Sequence, residues 1–235
     1  MQYEEILNKL KSLSNPEAVK GMARYGINPK NNLGISIYKL RSIAKEIGKD
    51  HELALKLWAS GIHDARLLAC FIDDPTKVTG EQMDSWAKDF DSWDVCDQAC
   101  TSLFDLTPLA WRKVVEWAEH DEDFVKRGAF SLIAGLTVHD KKVGDKKFEQ
   151  FFPLIKKHSI DERNYVKKAV NWALRNIGKR NLALNKQIIK LSKEILKIDS
   201  KSAKWIASDA IRELTSEKIQ KKLHNKNKKF KRILI

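Results

Sequence analysis

Apolar residues recur at three- and four-residue spacing along almost the whole chain, in segments of helical length separated by short polar turns. Strands would need two-residue alternation bounded by dense turn formers, and ten Gly and five Pro in 235 residues are too few to supply them. The pattern predicts helices over residues 1–14, 16–25, 37–47, 52–60, 64–72, 80–88, 92–106, 109–119, 123–135, 146–157, 161–177, 183–198 and 202–214. Two starts carry capping chemistry: Asn15 before Pro16 and Glu17, and Ser36 before Ile37. In the 161–177 segment Val166, Ala169, Val170, Ala173, Leu174 and Ile177 make one apolar stripe. Gly178 follows it and suits a left-handed C-cap.

A weak internal repeat organises these helices. Val125-Lys126-Arg127-Gly128-Ala129-Phe130 resembles Val166-Lys167-Lys168-Ala169-Val170-Asn171, 41 residues further on, and 64–69 and 207–212 look like looser copies. Periods of about 40 to 47 residues belong to HEAT-type repeats, in which helical hairpins stack. The expectation is therefore an all-α solenoid or superhelix with a concave basic groove, formed by one domain over residues 1–215. Residues 216–235 would be a Lys-rich C-terminal tail, since a run of like charge is ordinarily solvated and mobile.

Charge narrows the partner. The net charge is +13, but residues 1–125 hold 15 Lys and Arg against 21 Asp and Glu, a balance of −6. Residues 126–235 hold 29 against 10, a balance of +19. A basic surface confined to half a chain is the footprint of a polyanion. No apolar run approaches the roughly 18 residues of a membrane span, and Met1 leads into Tyr3, Glu4 and Glu5 rather than a signal peptide. Cys70, Cys96 and Cys100 fit a reducing compartment, so a cytoplasmic location is expected. Cys96 and Cys100 share a helix face without a second ligand pair, and the six His are scattered, so neither metal nor cofactor is expected.

Three segments carry candidate chemistry. Trp93 and Asp97 are four residues apart, hence one helical turn apart on one face. Lys126 and Arg127 form the second group. Lys168, Asn171, Trp172 and Arg175 step along the face of the 161–177 helix opposite its apolar stripe. If successive repeats present these faces to one groove, two indoles, a carboxylate and several cations meet there. A carboxylate in a phosphate-binding groove repels its ligand, so it needs a compensating task. Stabilising positive charge on a sugar during glycosidic cleavage is one such task. Pairing with Arg127 or capping a helix is the plainer alternative for Asp97.

At these residues the chain resembles the HEAT-like-repeat alkylpurine DNA glycosylases, the DNA alkylation repair proteins of AlkD type. The resemblance extends from Met22-Ala23-Arg24-Tyr25-Gly26-Ile27 and Leu33-Gly34-Ile35 to about Leu214, and is most specific at Trp93-Asp94-Val95-Cys96-Asp97 and residues 166–181. It implies removal of positively charged N3- and N7-alkylpurines from duplex DNA without base flipping and without a cofactor. By position, Trp93 and Trp172 would cradle the deoxyribose, and Asp97 would stabilise the oxocarbenium-like sugar and position water. Arg127 and Arg175 would hold the DNA backbone, with Lys126, Lys168 and Tyr25 as further DNA contacts. The partner would be duplex DNA carrying alkylated bases, bound by a monomer. Two other functions fit the same surface: a non-catalytic HEAT-repeat binder of damaged, bent or branched DNA, and a solenoid whose basic half meets an acidic protein.

Overall fold

This computed structural model describes residues 2–233, with side chains described through residue 226. No strand occurs among the described residues. The chain divides into two compact units, Met1–Ala110 and Trp111–Ile235.

The first unit contains α1 (Tyr3–Ser12), α2 (Pro16–Ala23), α3 (Ile37–Ile47), α4 (His51–Ala59), α5 (His63–Ile72), α6 (Gly80–Lys88) and α7 (Trp93–Ser102). The caps read from sequence form as expected. Asn15 Oδ1 accepts from Ala18 N at 3.1 Å with Pro16 in the first turn, and Ser36 Oγ accepts from Lys39 N. The core of this unit gathers around stacked indoles of Trp58 and Trp86, 3.9 Å apart, with Phe90 and Phe104 at their edges. The 92–106 helix expected from sequence stops at Ser102, and Phe104–Leu106 form a single 3-10 turn.

The second unit begins one residue into α8 (Ala110–Ala118) and contains α9 (Asp123–His139), α10 (Asp145–Glu149), α11 (Phe152–His158), α12 (Asn164–Gly178), α13 (Leu182–Ile195), α14 (Lys201–Leu214) and α15 (Glu217–Ile233). Its centre is α12, packed against α9, α11, α13 and α14. All six residues of the predicted α12 stripe have no exposed surface. Burying each Val, Leu or Ile of that set contributes about 1.5–3 kcal/mol. The single helix expected over 146–157 is two, because Pro153 lacks an N–H and occupies the first turn of a new helix, α11. The Lys-rich segment is helical as α15, with Ile219 and Leu223 buried.

Hydrogen bonds tie each repeat to the next. In the first unit, Leu33–Asp64, Trp58–Asp89 and His63–Asp94 each join residues 31 apart. In the second, Arg127–Tyr165, Lys156–Glu194, Gln187–Glu149 and Arg175–Glu213 each join residues 38 apart. Other contacts between the same repeats join residues 35 to 42 apart, among them Phe124 and Tyr165 at 41, the offset of the sequence match.

Gly178 is not the left-handed cap that its position suggested. It is the last residue of α12, it has no positive φ, and Lys179 caps in the right-handed region. A Cβ there would lie 2.5 Å from Leu214 Cδ1 and 3.2 Å from Ile188 Cγ2. Close approach of α13 and α14, not backbone handedness, selects glycine. Gly178→Ala should lower stability by about 1–3 kcal/mol in urea unfolding, although alanine is the better helix former. A gain in stability would mean that Leu214 moves aside without cost.

Candidate nucleic-acid interface

In the first unit the α2–α3 loop is fastened to the starts of α5 and α7. Asp64 accepts from Leu33 N at 2.6 Å and from Ile35 N at 2.8 Å. Between those donors Gly34 adopts φ +72°, and a Cβ would sit 2.4 Å from Asn15 O, so only glycine fits. Asn28 Nδ2 donates to Asp91 Oδ2 at 3.0 Å, just ahead of α7. His63 joins the two helices: its Nε2 lies 2.9 Å from Asp94 Oδ2, and Asp94 also accepts from Ser92 Oγ and Val95 N. Nδ1 of His63 is 3.7 Å from Asp64 Oδ2, beyond hydrogen-bond reach, so Asp64 acts on the ring through its charge. Burial opposes a charged ring here, yet the carboxylates of Asp64 and Asp94 outweigh it and raise the His63 pKa to about 9. Asp94 is held below its ordinary pKa: burial opposes this, and the bonds from His63, Ser92 and Val95 prevail.

That fastening positions the candidate residues. Trp93 opens α7, and its Nε1 donates to Tyr25 O at 3.1 Å. The Tyr25 side chain itself is 80% exposed, and the indole that its carbonyl holds is half-buried. Asp97 lies one turn further along α7 and is 8% exposed. It stands in the second turn and therefore does not serve as the helix cap.

In the second unit the cations divide into two kinds. Lys126 and Arg127 are buried near the start of α9. Lys126 Nζ is 3.9 Å from Asp161 Oδ2, and Arg127 Nη1 donates to Tyr165 O at 2.8 Å. Arg175 is half-buried, with Nη1 on Glu213 Oε2 at 2.5 Å and Nε 3.5 Å from Asp209 Oδ2. Lys168 is exposed and Trp172 half-buried. Asn171 leaves the polar face on which its spacing placed it: it is buried, and its Nδ2 donates to Ile206 O at 3.1 Å. Helix α14 runs beside α12 in the same direction, since Lys167, Asn171, Arg175 and Lys179 meet Trp205, Ile206, Asp209 and Glu213 in order.

A further group of cations forms where α15 reaches the end of α12. Lys226 Nζ lies 3.4 Å from Lys179 O, and Arg180 donates to Thr137 O near the end of α9 and to Val143 O in the α9–α10 loop. Lys226 is held below its ordinary pKa by burial and by the positive charges of Lys222, Lys141 and Arg180.

Residues 6–214 of this chain match the family of DNA alkylation repair enzymes. The chain belongs to that family. Among solved structures it is similar to one from a family related to the HEAT-like repeat DNA glycosylases with affinity for branched DNA structures. That likeness covers 90% of this chain and 95% of the other at a TM-score of 0.75 and 20% sequence identity, which makes the fold a HEAT-like repeat fold. Curated relatives include an uncharacterized Listeria monocytogenes protein, 28% identical over 128 residues, and a Listeria innocua counterpart, 27% identical over 128 residues. Each alignment covers 53% of this chain and 57% of the relative, so the chain spans little more than half the length of the curated relatives it matches.

Within this DNA alkylation repair family member, the structure brings Trp93 and Tyr25 together and sets Asp97 on the same helix as Trp93. It groups Lys126 with Arg127 on α9, and Lys168, Trp172 and Arg175 on α12. Sequence reasoning passed over the Asp64–His63–Asp94 cluster, whose only local signal is an adjacent His-Asp pair opening a helix. It also passed over Trp205, which Lys204 precedes directly. Among the described residues no helix is long and apolar enough to cross a membrane.

Proposed function

We propose that the protein is a monofunctional DNA glycosylase that hydrolyses the N-glycosidic bond of cationic N3- and N7-alkylpurines in duplex DNA, without base flipping and as a monomer. The observation that carries this reading is the α7 pair: an indole at Trp93 and, one turn on, a largely buried carboxylate at Asp97, in a member of the DNA alkylation repair family. The alkylated purine already bears a positive charge. When its bond to C1′ breaks, the electron pair neutralises the base, which departs without a general acid. Positive charge then develops on the sugar. The Asp97 carboxylate stabilises it and orients the water whose oxygen adds at C1′ as its proton is lost. The aromatic face of Trp93 favours the cationic nucleoside.

Phosphates are held by the basic second unit, with exposed Lys168 as a direct contact. Arg127 and Arg175 support DNA binding largely by ordering α12 and α14, because their guanidinium groups already meet Tyr165 O, Glu213 and Asp209. The test is release of 7-methylguanine or 3-methyladenine from a methylated duplex incubated with the full chain. Binding without release of either base would reject the glycosylase reading.

That outcome would leave a second reading, a non-catalytic binder of branched or bent DNA. Its support is the TM-score of 0.75 to a structure whose family is described as having affinity for branched DNA. It expects salt-sensitive binding that follows DNA shape rather than alkylation.

A further inference from the structure

Trp205 differs from most indoles of this protein. It is 43% exposed, whereas Trp58, Trp86 and Trp117 are 2–3% exposed. It projects from the second turn of α14, between two helices that run side by side. Lys167 of α12 places its ammonium 5.5 Å from the ring centroid. An ammonium held by the negative face of an indole fixes the ring's orientation while leaving much of its area in water. Exposed Lys168, Lys201 and Lys204 lie on the same two helices, Lys204 in a surface ion pair with Asp199 at 2.8 Å. The unit that carries them holds 31 Lys and Arg against 15 Asp and Glu, a formal charge of +16. A flat aromatic surface flanked by lysines on a strongly basic body combines the two elements that hold single-stranded nucleic acid: a stacking face and a phosphate field.

Bases inside an intact duplex already have both faces stacked. A base at a flap, gap or junction offers a free face. We propose that Trp205, with Lys167 behind it and the α12 and α14 lysines beside it, is a stacking platform for an unpaired base, so that the protein holds duplex DNA adjoining a single-stranded or branched segment. This rests on the reading above that the protein binds DNA, and it names the side chain by which an unpaired base would be held. It holds for either the catalytic or the non-catalytic version.

The experiment compares affinities of the full chain for a labelled duplex and for the same duplex carrying a single-stranded flap, at low salt. Wild type should prefer the flapped DNA. Trp205→Ala should weaken flap binding roughly 10-fold, the order expected for one lost base–aromatic stack, and change duplex binding less than about twofold. Trp205→Phe should restore most of the flap affinity, and flap addition should quench indole emission in wild type more than in Trp205→Ala. Thermal melting will show that the half-exposed site tolerates both changes. Equal losses on the two DNAs, or no loss on either, would overturn the platform while leaving DNA binding intact. Failure of wild type to bind either DNA would remove the DNA reading and the platform together.

Discussion

Replacing Asp97 with Asn should reduce base release from methylated duplex by about 100- to 1,000-fold and leave DNA affinity within about twofold. The substitution preserves shape and removes only the negative charge. On the glycosylase reading that charge would do little for the ground state, in a groove that binds phosphates of its own sign, and would act once the sugar became cationic. An interaction made only at the transition state shows in the rate and not in affinity. The measurement is single-turnover release of 7-methylguanine alongside equilibrium binding to the same duplex. Parallel loss of rate and affinity would mean that Asp97 serves the architecture of α7 rather than the reaction. Unfolding midpoints of the two proteins separate that case, since Asp97 is 8% exposed and an amide there must find donors and acceptors of its own.

The second large effect concerns His63. Its folded pKa of about 9 lies above the ordinary value of 6.5, so the charged ring stabilises the fold. The contribution is fully present below pH 6.5 and is lost as pH rises from there through 9. The shift corresponds to about 3 kcal/mol. His63→Gln should therefore unfold in urea with a deficit of about 3 kcal/mol at pH 6 that nearly vanishes by pH 10. A deficit of the same size at both pH values would assign the loss to packing instead of charge. Because Asp94 and Asp64 tie α7 to the α2–α3 loop through this ring, the variant should also loosen Trp93 from Tyr25 O.

Much of the fold was legible because a buried helix writes its own pattern. The six-residue stripe of α12 was readable from spacing alone, and so were the Asn15 and Ser36 caps. Which side chains meet across repeats was not, because it depends on how helices nest: the starts of α9 and α12 lie 41 residues apart, while Arg127 reaches Tyr165 O, 38 residues on, and Lys126 reaches Asp161, 35 residues on. Gly178 showed the same limit, since a glycine that answers to Leu214 looks, in one dimension, like any helix terminator. At the candidate site, one-turn spacing of Trp93 and Asp97 was visible. The partners of Arg127 and Arg175 were not, because Tyr165 O and Glu213 lie a full repeat away. A cation's sign is local information. Whether a carboxylate or carbonyl already occupies it is not.

The unequal spacing of the ladders, 31 residues in one unit and 38 in the other, limits how such a chain can be lengthened or shortened. A hairpin copied within its own half would find its donors and acceptors waiting. The same hairpin transplanted into the other half would bring a different separation between its donors and the acceptors of its neighbours.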